Sequence, residues 1–134
     1  MDKQSISLLK GFMEKAKSKL AAARTLLKSK DYDDAVSRAY YAAFHAVQAL
    51  LLTEDLSSSS HQGMINLFGL HFVKTGKFDK KFGRFLSNLK DDRESGDYEI
   101  YSFIDREVAN NAVNEAKELI TAIKKYLRRY LTSS

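Results

Sequence analysis

The sequence predicts an all-α fold, one bundle of three long and two shorter helices, and three observations carry that expectation. None of the 134 residues is proline and only six are glycine, where average usage gives roughly seven and nine. Turn-rich sandwiches and barrels depend on those two residues. Apolar side chains return at three- and four-residue steps over most of the chain, the period of a helix buried on one side. The composition, 44% apolar and 29% charged, is an ordinary globular balance, and the length suits a single domain spanning residues 1–134.

The elements follow in order. From Ser5 to Ser29, Leu8, Leu9, Phe12, Ala16, Leu20, Ala23 and Leu27 mark one apolar stripe, with lysines on the other face. Asp31 is placed to cap a second helix over Tyr32 to Thr53, with Asp33 and Asp34 favourable at its dipole. Ser57 to Ser60 form a polar run rich in N-cap hydroxyls, and a third helix begins near His61 and carries Met64, Ile65, Phe68 and Phe72. Gly76 ends that pattern, because glycine takes the left-handed conformation that closes helices. Phe78, Phe82, Phe85, Leu86 and Leu89 give a short fourth helix, after which Asp91 to Tyr98, the most polar segment, reads as a loop turning at Gly96. From Asp105, Val108, Ala112, Ala116, Leu119, Ile123, Leu127 and Tyr130 define a last long helix ending in Lys124, Lys125, Arg128 and Arg129.

Several classes of function are excluded at once. With no cysteine, there is no disulfide scaffold, no thiol nucleophile and no thiolate-bound zinc or iron–sulfur centre. The three histidines, at 45, 61 and 71, match no metal-ligand spacing, so neither a metal site nor a cofactor is expected. Glycine-rich phosphate loops and nucleophile elbows are absent as well. The N-terminal stretch lacks the apolar core of a signal peptide, and no apolar run approaches a membrane span. A soluble, cytoplasmic protein without a membrane partner is the expectation. The net charge of +5 leans towards phosphate-bearing partners.

The second helix has two distinct faces. At roughly 100° per residue, Ala39, Tyr40, Ala43, Val47 and Leu50 fall within about 60° of Val36 and form the core stripe. Arg38, Tyr41 and His45 lie on the opposite side, so a guanidinium, a phenol and an imidazole share one line on consecutive turns. Such a stripe suits a groove or a subunit interface. Arg38 either forms a buried ion pair with Asp97 or Glu99, or holds a phosphate with its planar fork, and the two roles are compatible. His45 is a hydrogen-bonded structural residue or a general acid or base. His61 either belongs to a helix cap or points into a cleft.

Arg93, Asp97 and Tyr98 form a second constellation. They tie their own segment down by mutual hydrogen bonds, or Arg93 joins Arg38 in a cationic pocket whose geometry Asp97 fixes. Lys74, Lys77, Lys80, Lys81 and Arg84 make a basic rim that is either a solvated face or a guide for RNA or a nucleotide.

The segment Ser37 to Leu51, SRAYYAAFHAVQALL, resembles the second-helix signature of the HEPN domain superfamily (higher eukaryotes and prokaryotes nucleotide-binding), particularly its small single-domain prokaryotic branch. HQGMINLFGLHFVKTGKF, from His61 to Phe78, and RESGDY, from Arg93 to Tyr98, support the match. The resemblance implies an up-and-down bundle of four to five helices, commonly a homodimer, often encoded beside a minimal nucleotidyltransferase in toxin–antitoxin-like pairs. Many members are metal-independent ribonucleases with an arginine followed after four to six residues by a histidine, shared between two subunits. Arg38 and His45 have six residues between them, but the family motif usually lies near the last long helix. There this chain offers Arg106 and Asn111, and asparagine cannot exchange a proton near neutral pH. The leading expectation is therefore a nucleotide- or RNA-binding component of such a pair, with Arg38, Tyr41, Arg93, Asp97 and Tyr98 as ligand-binding residues. A metal-independent endoribonuclease toxin using His45 or His61 is the alternative. A dimeric scaffold whose Tyr-Arg-His face is only an interface is a third.

Overall fold

The structure is a computed structural model, and it describes residues 1–98 and 104–132, with the side chains at 97 and 98 outside that description. Helix α1 spans Lys3–Lys28 and starts at Asp2, whose carboxylate accepts from the Ser5 amide at 2.7 Å. It buries Leu9, Met13, Ala16, Leu20 and Ala23, an alternation of four- and three-residue steps that keeps one face inward. Met13 thus replaces Leu8 in the expected stripe, and Leu8 faces outward, 51% exposed. Lys30 adopts a left-handed conformation, φ 66°, in the tight reversal to the next helix.

Helix α2 spans Tyr32–Leu52. Asp31 does not cap it through its side chain; that carboxylate instead accepts from Ser29 Oγ at 2.7 Å. The backbone explains the difference, since Asp31 sits at ψ 73° rather than in the extended geometry usual for an N-cap. Every residue of the expected core stripe, Val36, Ala39, Tyr40, Ala43, Val47 and Leu50, is buried. Ala35, Ala42, Ala46 and Ala49 are buried too, because α2 is the central helix and packs against α1 and three later helices. Small side chains permit that close approach on several sides.

Helix α3 spans His61–Phe68, and Ser60 supplies the cap by accepting from the Gly63 amide at 2.9 Å. It continues as a π-type stretch over Gly69–Val73, with the Lys74 amide reaching back to the Gly69 carbonyl at 2.8 Å. Gly76, φ 81°, ends the segment as expected. Helix α4 spans Lys80–Tyr98. The polar segment Asp91 to Tyr98 is therefore helical, not a loop, and Gly96 makes no turn. Lys90 pairs with Glu94 one turn on, at 2.7 Å, and Arg93 packs on α2, so the polar residues clothe a helix with one side anchored.

Helix α5 spans Arg106–Tyr126, with Asp105 accepting from the Val108 amide at 2.9 Å. The last helix is not continuous: fully buried Leu127 interrupts it, and α6, Arg128–Leu131, follows as a single turn. The elements form an up-and-down helical bundle, with no strand among the described residues. One apolar core runs through it, from Leu9 and Leu20 through Phe44 and Leu50 to Phe68, Phe72, Leu119 and Ile123.

Candidate functional site

The outer line of α2 lies against α1. Arg38, Tyr41 and His45 meet Lys15, Ser18 and Lys19 across an open cleft of about 560 Å³. Helical spacing puts them there: 15, 18 and 19 fall on one side of α1, as 38, 41 and 45 do on α2. The wall carries three cations and no carboxylate among the described residues. Arg38 is exposed, contrary to a buried ion pair, and none of the ion pairs among the described residues involves it. The partners expected for it, the side chains of Asp97 and Glu99, lie outside the described residues, as does that of Tyr98.

His45 is half-buried at the end of this cleft. Its Nδ1 is 2.9 Å from Gln48 Oε1, and its ring is stacked with Phe12, centroids 6.4 Å apart. Burial pushes the imidazole below its ordinary value, and Lys15 and Lys19 add to that against the opposing bond to Gln48. A lowered value keeps the ring neutral, with a lone pair available, near pH 7.

A second cluster sits on the other side of Tyr41. From α4, Arg93 Nη2 donates to the Tyr41 hydroxyl at 3.0 Å, and the guanidinium lies 5.1 Å and 5.4 Å from the ring centroids of Tyr40 and Tyr41. His61, at the start of α3, bonds the Tyr40 hydroxyl through Nδ1 and packs edge-on to the Tyr40 ring at 4.8 Å. It also lies beside Phe44, with centroids 4.6 Å apart. Burial, then Arg93 and Lys90, hold His61 below its ordinary value. Arg93 does not line the cleft. It reaches that cleft through Tyr41, so Tyr41 joins two groups, Arg38–Tyr41–His45 and Arg93–Tyr41–Tyr40–His61.

Sequence reasoning missed Lys15, Ser18 and Lys19, because a lysine-covered face of α1 reads as solvated until its neighbour is known. It also missed the pairing of Tyr40 with His61. The basic rim is partly neutralised: Lys77 pairs with Glu54 and Lys81 with Glu118, each at 2.6 Å. The region of Asn111 has the opposite polarity. A cleft of about 380 Å³ there is lined by Asn88, Asp92, Asn111, Asn114, Glu115 and Glu118, and burial raises the carboxyls of Asp92 and Glu115. Such a surface repels phosphate.

Residues 9–126 match the family model of the HEPN domain. A candidate toxin of Methanocaldococcus jannaschii is 38% identical over 123 residues, covering 92% of this chain and 91% of its own. A UPF0332 protein of Thermotoga maritima is 35% identical over 120 residues, 90% of this chain and 91% of the relative. Among solved structures, TT1696 from Thermus thermophilus superposes with a TM-score of 0.75 at 18% identity, over 87% of this chain and 96% of that one. That likeness speaks for the fold alone. No helix among the described residues is long and apolar enough to cross a membrane.

Proposed function

The chain belongs to the HEPN domain family, and from that premise we propose that it binds the phosphate of a nucleotide or of RNA in the cleft between α1 and α2. In this reading it works in the cytoplasm as a homodimer, one component of a toxin–antitoxin-like pair whose other member is a minimal nucleotidyltransferase. The observation that carries the reading is the convergence of Lys15, Lys19 and Arg38 on one cleft without a lining carboxylate. A phosphate placed there gains a planar guanidinium fork and two ammonium groups. A relative described as a candidate toxin is consistent with the paired system.

Titration with AMP and with a short single-stranded RNA tests the reading. Contact to one phosphate gives a log–log salt slope of about −0.7 for a single strand. Arg38→Ala weakens both ligands and lowers that slope. Absence of binding by either ligand at low salt overturns the proposal.

The endoribonuclease reading has one observation in its favour: neutral His45 lines the same cleft as Arg38. It would take the proton of a ribose 2′-hydroxyl as that oxygen bonds to phosphorus, the cations stabilising the charged phosphorane until the P–O5′ bond breaks and the 5′-oxygen leaves with a proton from solvent. His61 is the second imidazole of this reading, but its Nδ1 is already engaged by Tyr40. RNA incubated with the protein in EDTA, beside a His45→Ala control, decides the matter. Equal rates in both samples remove His45 from the chemistry.

A further inference from the structure

The cleft is not uniform along its length. On α2 the lining runs from His45 through Tyr41 to Arg38, from an aromatic end to a cationic end, with Lys15 and Lys19 on α1 across from it and Phe12 beside His45 outside the lining. Seven residues of helix separate the two ends, about 10 Å. At the aromatic end the His45 ring is fixed twice. The Phe12 ring lies nearly parallel to it, planes 16° apart and centroids 6.4 Å apart, and Gln48 engages Nδ1. His45 lines the cleft and neither Phe12 nor Gln48 does. The imidazole therefore borders the cleft with its Nδ1 already engaged.

We infer that this cleft takes a base-bearing phosphate unit in one orientation: the base stacked on the His45 ring, the ribose beside Tyr41, and the phosphate between Lys19 and Arg38. The inference rests on the phosphate site proposed above and adds to it the class and direction of the ligand. A flat, half-buried ring at the end of a cationic cleft is a stacking platform, and every base has a π-face to offer it. The bases of a duplex are already stacked on one another, so the ligand is a free nucleotide or an unpaired nucleotide of RNA. Stacking tolerates any base, which predicts little base preference.

Calorimetric titration with AMP, ribose 5-phosphate and a short single-stranded oligoadenylate tests this. AMP is expected to bind roughly 5- to 160-fold more tightly than ribose 5-phosphate, the usual range for one base on one aromatic ring. That comparison is made on the unaltered protein and depends on no variant folding. His45→Phe keeps the margin and His45→Ala loses it. Because phenylalanine cannot exchange a proton, binding retained in His45→Phe assigns stacking to the ring rather than acid–base chemistry. Equal affinity for AMP and ribose 5-phosphate, or a margin that survives in His45→Ala, overturns the inference while leaving the phosphate site standing. Failure of all three probes removes the phosphate site itself. A tighter oligoadenylate than AMP identifies RNA as the source of the unit, and equal affinity identifies the free nucleotide; both uphold the orientation.

Discussion

Tyr41 is the residue on which the site turns, and half of its role was legible in advance. Its alignment with Arg38 and His45 follows from helical angles alone, and the structure puts all three on one cleft. Its hydrogen bond to Arg93 spans 52 residues of sequence, and nothing local encodes such a contact. The same holds for His61, whose place beside Tyr40, Phe44 and Arg93 depends on how α3 and α4 dock. That environment has a consequence for stability. The folded His61 titrates below its ordinary value of 6.5, chiefly through burial and then through Arg93 and Lys90. Below 6.5 the unfolded chain binds more protons than the folded one, so stability falls as pH drops through that value. His45 contributes with the same sign. Asp92 and Glu115, with raised carboxyls, act with the opposite sign at the carboxylate end of the scale. Urea midpoints should therefore fall between about pH 7.5 and about pH 5.5, and His61→Gln should flatten the slope without abolishing it. An unchanged slope in His61→Gln would show that the imidazole is not differentially protonated on folding.

At the scale of the element, periodicity located α1 to α5 but merged α6 with the last of them, and composition misjudged the end of α4. The apolar series of α1, α2 and α5 predicted their extents to within a few residues. The segment from Asp91 to Tyr98 has no such series, and among its described residues Arg93 anchors it to α2 through a polar side chain rather than an apolar one. Polarity reports contact with water, not backbone conformation, and a solvated helix and a loop share it. Gly96 is the point that separates the two readings experimentally. A methyl group added at Gly96 would lie 3.4 Å from Ile104 Cγ1 and 3.8 Å from Asp33, ordinary contact distances. Alanine is favoured over glycine inside a helix by roughly 0.8–1 kcal/mol. Gly96→Ala should accordingly raise stability by about 0.5–1 kcal/mol, measured by urea unfolding. A loss of similar size would indicate the left-handed turn that a loop requires.

Over the whole molecule, α2 serves both the core and the proposed site, and its two sides separate stability from binding. Its inner side was legible because six core positions repeat with the helical period, and all six are buried. The outer side was legible only as a list of side chains, since the lysines opposite belong to another helix. The arrangement allows a paired prediction. Ala43 is fully buried in a helix packed against α1, α3, α4 and α5. Three extra carbon atoms at such a position force neighbouring side chains out of their rotamers, so Ala43→Leu should cost about 1–3 kcal/mol. Arg38 lies on the opposite side, exposed and in none of the ion pairs among the described residues. Arg38→Ala should leave stability within about 0.5 kcal/mol, yet weaken nucleotide binding. Urea unfolding and AMP titration of both variants provide the check. If Arg38→Ala destabilised the fold as much as Ala43→Leu, the guanidinium would belong to the scaffold and the cleft would lose its principal anion ligand.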